Sequence, residues 1–182
     1  DANKQADRLS VVLAVENSIA LEQSLYALDA LYELGVRTMT ITHSARNEAA
    51  DGCEVVGGGG LTGFGRQVVA RMNELGMLVD VSHLNDKSFW GVLDASEKPV
   101  IASHSCCRSL CDNPRNLTDD QLRALGESGG VVAITYVPFF VDTQAPTIDG
   151  LIDHFLHAID TAGPSSVGLC SDFDGGGELL ED

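Results

Sequence analysis

Short β-rich runs alternate with amphipathic helical stretches along this chain, and that alternation constrains the fold more than any other feature. VVLAVEN (11–17) precedes a stretch that sets Leu21, Leu25, Leu28 and Tyr32 on one helical face, closed by Gly35. TMTITHS (38–44) leads through the glycine-rich VVGGGG into a helix carrying Phe64, Val68, Met72 and Leu75 on one side and stopped at Gly76. MLVDVSH (77–83) comes directly after it. A third helix is expected from about Asp86 through Phe89, Val92 and Leu93 until Pro99, which opens the strand VIASHS. Thr118-Asp-Asp-Gln121 has the form of a capping box before a short helix, and VVAITYV follows. A helix burying Leu151, Ile152, Phe155 and Ile159 and the strand VGLCSD end the series.

Six strands alternating with five helices predict a parallel sheet, because right-handed crossovers set each strand beside the last with helices outside. An open dinucleotide-binding sheet also has this pattern. Against it, no Gly-x-Gly-x-x-Gly follows the first strand, and polar residues collect at the C-terminal ends of several strands, where (β/α)₈ barrels build their sites. A complete barrel needs two more strands, so the expected fold is α/β: an incomplete (β/α)₈ TIM-like barrel forming a single domain over residues 1–182.

Composition narrows the function. Eleven Lys plus Arg against 27 Asp plus Glu give a net charge of −16, which repels phosphate backbones and anionic lipid and excludes nucleic acid as a natural partner. No apolar run reaches the roughly 18 residues of a membrane span, and DANKQADRLS lacks the basic start and apolar stretch of a signal peptide. Five cysteines at irregular spacing (Cys53, Cys106, Cys107, Cys111, Cys170) suit a reducing cytoplasm better than a secreted disulfide framework.

The ends of the strands carry Glu16, His43, His83, His104, Tyr136 and Asp172. Imidazoles and carboxylates on one rim suit zinc, and several together can hold two ions; manganese, iron or cobalt use similar ligands. A lone histidine after a strand is more often structural, but three at the same place in successive units point to a site. His154 and His157, three apart within a helix, read as surface residues. Adjacent Cys106 and Cys107 with Cys111 read as packing rather than a thiolate site. The glycine run 57–60 lacks the Lys-Ser/Thr of a phosphate loop and reads as a mobile connector.

Five segments in order, VENS, LYELGVRTMTITHSARNEAAD, GLTGFGRQVVARMNELGMLVDVSH, PVIASHSCCRSLCDNPRNLTDDQL and VGLCSDFDGG, resemble the membrane (renal) dipeptidase family of metal-dependent amidohydrolases over nearly the whole chain. The resemblance implies a zinc-dependent dipeptidase. By position, Glu16 matches the carboxylate bridging two zinc ions, and His83 and His104 match the ligands of the second ion. His43 matches a histidine that contacts substrate and steadies the tetrahedral intermediate, with Tyr136 also on the substrate side. Arg115 matches the arginine that pairs with the substrate carboxylate, a task suited to a planar guanidinium; taken without the resemblance, it reads equally as a partner for a surface acid. Asp172 matches the proton-exchanging carboxylate, with Asp174 as the alternative acid.

Family members begin with a strand ending in His-x-Asp that completes the first zinc site, and no His-x-Asp occurs here. The expectation is therefore a fragment of a longer enzyme, inactive by itself. Two rivals stand beside it: another amidohydrolase acting on a cyclic amide or lactone, and a non-catalytic barrel that has lost its first metal site. Dipeptide preference and assembly as a homodimer stay open.

Overall fold

The computed structural model describes residues 10–173. Strands β1 (Leu13–Glu16), β2 (Val36–Thr40), β3 (Leu78–Asp80), β4 (Ile101–Ser105), β5 (Val131–Thr135) and β6 (Val167–Cys170) form one sheet in chain order. Every neighbouring pair is parallel, as in an incomplete TIM-like barrel. The crossovers carry α1 (Leu25–Glu33), α2 (Gly63–Leu75), α3 (Asp86–Ala95), α4 (Asp119–Glu127) and α6 (Ile148–Ala162). The short α5 (Pro138–Val141), which periodicity does not announce, follows β5 with proline at its start.

Local chemistry explains most boundaries. Gly76 closes α2 with φ +72, a conformation that costs glycine nothing, and Thr118 and Gln121 make both bonds of the capping box at α4. The expected first helix is broken. Asn17 caps a 3₁₀ turn at Ser18–Leu21, Glu22 and Gln23 take positive φ, and α1 starts only at Leu25. Leu28, Met39, Val68, Met72, Phe89, Leu122 and Ile134 are fully buried between sheet and helices. Each contributes roughly 1.5–3 kcal/mol of apolar transfer.

Two surface expectations are corrected. His154 is buried, because its Nδ1 accepts from the Cys107 backbone N–H at 3.0 Å and its Nε2 meets the Val141 carbonyl at 3.0 Å. The core face of α6 is thus Leu151, His154 and Ala158, and Ile152 faces solvent. His157 is partly covered and pairs with Asp119 at 2.8 Å. The glycine run is tied down as well: the Gly60 N–H donates to Asp51 and the Lys87 ammonium to the Gly58 carbonyl. Among the described residues no helix is long and apolar enough to cross a membrane.

Candidate active site

The strands end earlier than their apolar runs, so the polar residues sit both on them and just beyond. Glu16 is the last residue of β1 and His104 lies within β4, whereas His43 and His83 stand three residues past β2 and β3 and Asp172 two past β6. His83 and Asp172 adopt φ +70 and +48, as does Asn17, next to Glu16, at +86. Positive φ is uncommon outside glycine, though Asn, Asp and His tolerate it best, and it clusters where side chains must be aimed.

The turn that delivers His43 is built from its own polar residues. Asn47 donates to Asn17 Oδ1 and to the Ile41 carbonyl, both at 2.8 Å. Asp51 accepts from Arg46 and Gly60, and its carbonyl accepts from the Ser88 hydroxyl. Gly52 runs against the carbonyls of His43 and Ser44 so closely that no Cβ fits.

Three donor atoms converge on one point. Glu16 Oε1 lies 2.9 Å from His83 Nε2 and 3.2 Å from His104 Nε2, and the two nitrogens are 2.9 Å apart. A tetrahedral zinc with bonds of about 2.0–2.1 Å spaces its ligand atoms about 3.3–3.4 Å apart, so this triangle fits such an ion with slight expansion. His43 joins a looser set, its ligand atom lying within 4.8 Å of those of Glu16 and His83. The triangle is the tighter of the two sets. The His43 ring stacks on His83 with centroids 4.1 Å apart.

Glu16 and His83, common to both sets, are the electrostatically perturbed members. The His104 and His83 rings beside Glu16 hold its carboxyl well below the usual carboxylate range, against the opposing effect of burial. Burial pushes His83 down to about 4, so at neutral pH its ring is uncharged and has a lone pair to give.

These groups line a cleft of about 360 Å³ with Arg115, Asp172, Cys53 and Phe140. Arg115 is 7% exposed, donates to the His104 carbonyl at 3.1 Å and lies over the Phe140 ring at 5.0 Å. Its Nε and Nη1 are buried with no hydrogen-bond partner among the described residues. Buried donors of this kind cost free energy unless an acceptor arrives, so they mark where an anionic ligand group belongs. Burial lowers the guanidinium from its ordinary value but leaves it charged.

The structure therefore brings Glu16, His43, His83, His104, Arg115 and Asp172 into one cleft. Tyr136 is outside its lining and packs on Phe173, with ring centroids 5.9 Å apart. Asp174 lies outside the described residues. Cys53 was not foreseen; it comes from the loop after β2, and burial raises its thiol pKa against the pull of Arg115. Cys106 and Cys107 are buried, as packing predicts.

Residues 1–182 match the membrane dipeptidase family, peptidase family M19. An uncharacterized dipeptidase of Schizosaccharomyces pombe is 39% identical over 185 residues, covering 96% of this chain and 44% of that protein. A dipeptidase of Clonostachys rogersoniana is 39% identical over 173 residues, covering 94% and 45%. The chain thus spans less than half the length of these curated relatives. A metallopeptidase of Rhodobacter sphaeroides, solved with a phosphinate mimic of the dipeptide L-Ala-D-Ala, superposes with TM-score 0.88 at 31% identity, covering 93% of this chain and 51% of that one.

Proposed function

Because the chain belongs to the membrane dipeptidase family, peptidase family M19, we propose that the protein containing it is a zinc-dependent hydrolase of dipeptides. The observation that carries this reading is Arg115, a buried guanidinium with two unpartnered nitrogens in the same cleft as the Glu16–His83–His104 triangle. One end of the cleft is suited to a carboxylate and the other to a metal ion, and the cleft is of a size for a small ligand. The dipeptide mimic bound by the Rhodobacter sphaeroides relative supports the same substrate class.

Glu16, His83 and His104 would hold the ion. Zinc bound there supplies Lewis acidity, lowering the pKa of water and polarising a carbonyl. Arg115 fixes the substrate's free carboxylate, so that the scissile carbonyl is held at the histidines. His43 donates a hydrogen bond to the oxyanion that develops on that carbonyl. Asp172 accepts the proton of the attacking water and returns it to the leaving amine as the C–N bond breaks. Water thus adds to carbon and the proton goes to nitrogen, which balances the hydrolysis.

Substrates with and without a free carboxylate test the reading. For the zinc-loaded full-length protein, Arg115→Ala should lower kcat/KM on dipeptides by roughly 10- to 100-fold, the worth of a charged hydrogen-bonded pair. It should leave C-terminally amidated dipeptides unaffected. Turnover of cyclic amides or lactones that tolerates Arg115→Ala would favour the other amidohydrolase reading. Bound zinc with no hydrolysis would favour a non-catalytic barrel.

The reading extends to the whole protein. Val11, Val12 and Leu13 at the β1 edge and Leu169 on β6 face solvent. In the complete protein, further chain covers these edges and finishes the site, and the 182-residue chain alone is inactive. The free thiols of Cys53, Cys106, Cys107 and Cys111 support a reducing, cytoplasmic location.

A further inference from the structure

We propose that Asp80 and Ser103 are positioning residues that set the tautomer of His104 and so present its Nε2 lone pair to the metal. This inference rests on the metal-binding reading above and deepens it.

Asp80 ends β3 and is buried. Its Oδ1 accepts the backbone N–H groups of Ser82 at 3.0 Å and Ser103 at 3.1 Å. Its Oδ2 accepts the hydroxyls of Thr40 at 3.2 Å and Ser103. A carboxylate has no hydrogen to give, so the proton between Ser103 and Asp80 is the serine's own. The Ser103 oxygen is then left only lone pairs for its other neighbour, His104 Nδ1 at 2.7 Å. Nδ1 must therefore carry the imidazole hydrogen, and Nε2, the atom facing Glu16 and His83, is bare.

The local backbone makes this chain of bonds possible. Adjacent residues on a regular strand point to opposite faces. The pairing of β4 with β5 shifts register between Ala102 and Ser105, and this irregularity lets the Ser103 hydroxyl reach the ring of its own neighbour. The His104 N–H also donates to the Ser82 hydroxyl at 3.1 Å, which anchors the backbone at that point. Among the described residues no carboxylate–hydroxyl chain of this kind reaches His83, whose Nδ1 lies 3.5 Å from the Ser44 hydroxyl. The two imidazoles have different surroundings: a carboxylate–hydroxyl relay stands behind one, the Ser44 hydroxyl and the stacked His43 ring beside the other. Partners that orient a metal-ligating histidine typically govern 10- to 100-fold in metal affinity.

The relay has a polarity, and reversing it is the sharpest test. In Asp80→Asn the amide oxygen can keep the two backbone N–H groups while the NH₂ donates to the hydroxyls. Ser103 must then turn its hydrogen toward Nδ1, which forces the His104 proton onto Nε2, where it blocks ligation. Ser103→Ala only frees the ring to choose its tautomer, and Ser103→Thr keeps the hydroxyl.

In the full-length protein, zinc affinity by chelator competition should fall about 10- to 100-fold for Asp80→Asn. It should fall less for Ser103→Ala and stay near wild type for Ser103→Thr. Nitrogen NMR of the metal-free protein should show His104 protonated at Nδ1 in wild type and at Nε2 in Asp80→Asn. An Asp80→Asn variant that keeps the Nδ1 proton and wild-type affinity would overturn the relay alone. So would equal losses in Asp80→Asn and Ser103→Ala that follow their melting temperatures, the mark of a packing role. A wild-type protein that binds no zinc would remove the metal reading, and the relay with it.

Discussion

The centre of the sheet and its two edges invert the usual arrangement of polar and apolar groups. Thr40, Asp80 and Ser82, on or beside β2 and β3, are buried, whereas Val11 and Leu169 at the edges are 75% and 73% exposed. In the centre the hydrogen bonds of Asp80 and Ser82 explain the burial. At the edges Val11 and Leu169 face solvent, and each exposed apolar group forgoes the free energy its burial would release. The centre is a site organised from within, while the edges are surfaces whose contribution depends on what covers them.

The largest test of that contrast uses two register partners. Ile134 on β5 and Leu169 on β6 stand side by side in the sheet, one fully buried and the other solvent-facing. In the 182-residue chain, urea unfolding should show Ile134→Ala costing about 2–5 kcal/mol and Leu169→Ala under about 0.5 kcal/mol. In the full-length protein the Leu169 cost should rise into the same range as the edge is covered. An unchanged small cost there would show that nothing packs on β6, and the contrast would be a property of the finished protein.

Activity is the next reading of the same contrast. The centre already holds the triangle and Arg115, yet Asp172 follows the exposed edge strand β6. Displacements of about 1 Å in catalytic groups cost roughly 100-fold, so the 182-residue chain should hydrolyse dipeptides more than about 100-fold more slowly than the full-length protein with zinc in excess. Equal rates would mean that the centre suffices.

What could be read from the sequence follows the same division. The Gly76 stop and the Thr118 capping box are local, with signals within a few residues, and the structure reproduces them. The histidines and acids stand out in the sequence because they follow successive β-rich runs, although the structure sets Glu16 and His104 on strands and His43, His83 and Asp172 two or three residues past them. His154 was not, since the groups that satisfy it lie 47 and 13 residues away along the chain. Asp80 and Ser103 are polar residues in otherwise apolar runs. Their meaning appears only when β3 and β4 are laid side by side. The break before α1 escaped because Leu21, Leu25 and Leu28 keep helical spacing across backbone that is not helical at Glu22 and Gln23.

Helix starts carry a smaller version of the contrast. Thr118 makes a reciprocal cap at α4, whereas Ser24, beginning α1 near the β1 edge, makes no side-chain cap bond. Thr118→Ala should cost about 1 kcal/mol in thermal or urea unfolding, and Ser24→Ala under about 0.5 kcal/mol. Equal costs would mean that the edge helix is capped as firmly as the central one.

The smallest expected effect is the pH response of Asp86, at the start of α3. Arg108 grips its two oxygens at 2.9 Å each and Gln121 donates to Oδ1 at 3.1 Å, tying α3 to α4 and to the loop that carries Arg115. The Arg108 guanidinium beside Asp86 holds its carboxyl below the ordinary value of 3.8, with burial opposing. A depressed folded pKa means that the unfolded chain takes up the proton first as pH falls. The stabilisation is therefore full above the ordinary value and is lost as pH drops through the lower folded one. Asp86 is half exposed, so solvent screening limits the pair to about 0.5–1 kcal/mol. Urea unfolding should show Asp86→Asn less stable than wild type by that amount near neutrality, with the gap closing as the solution is acidified below the usual aspartate range. A gap that persists in acid would mean that Asp86 acts by shape and hydrogen bonding rather than charge, and that the tie beside Arg115 is indifferent to pH.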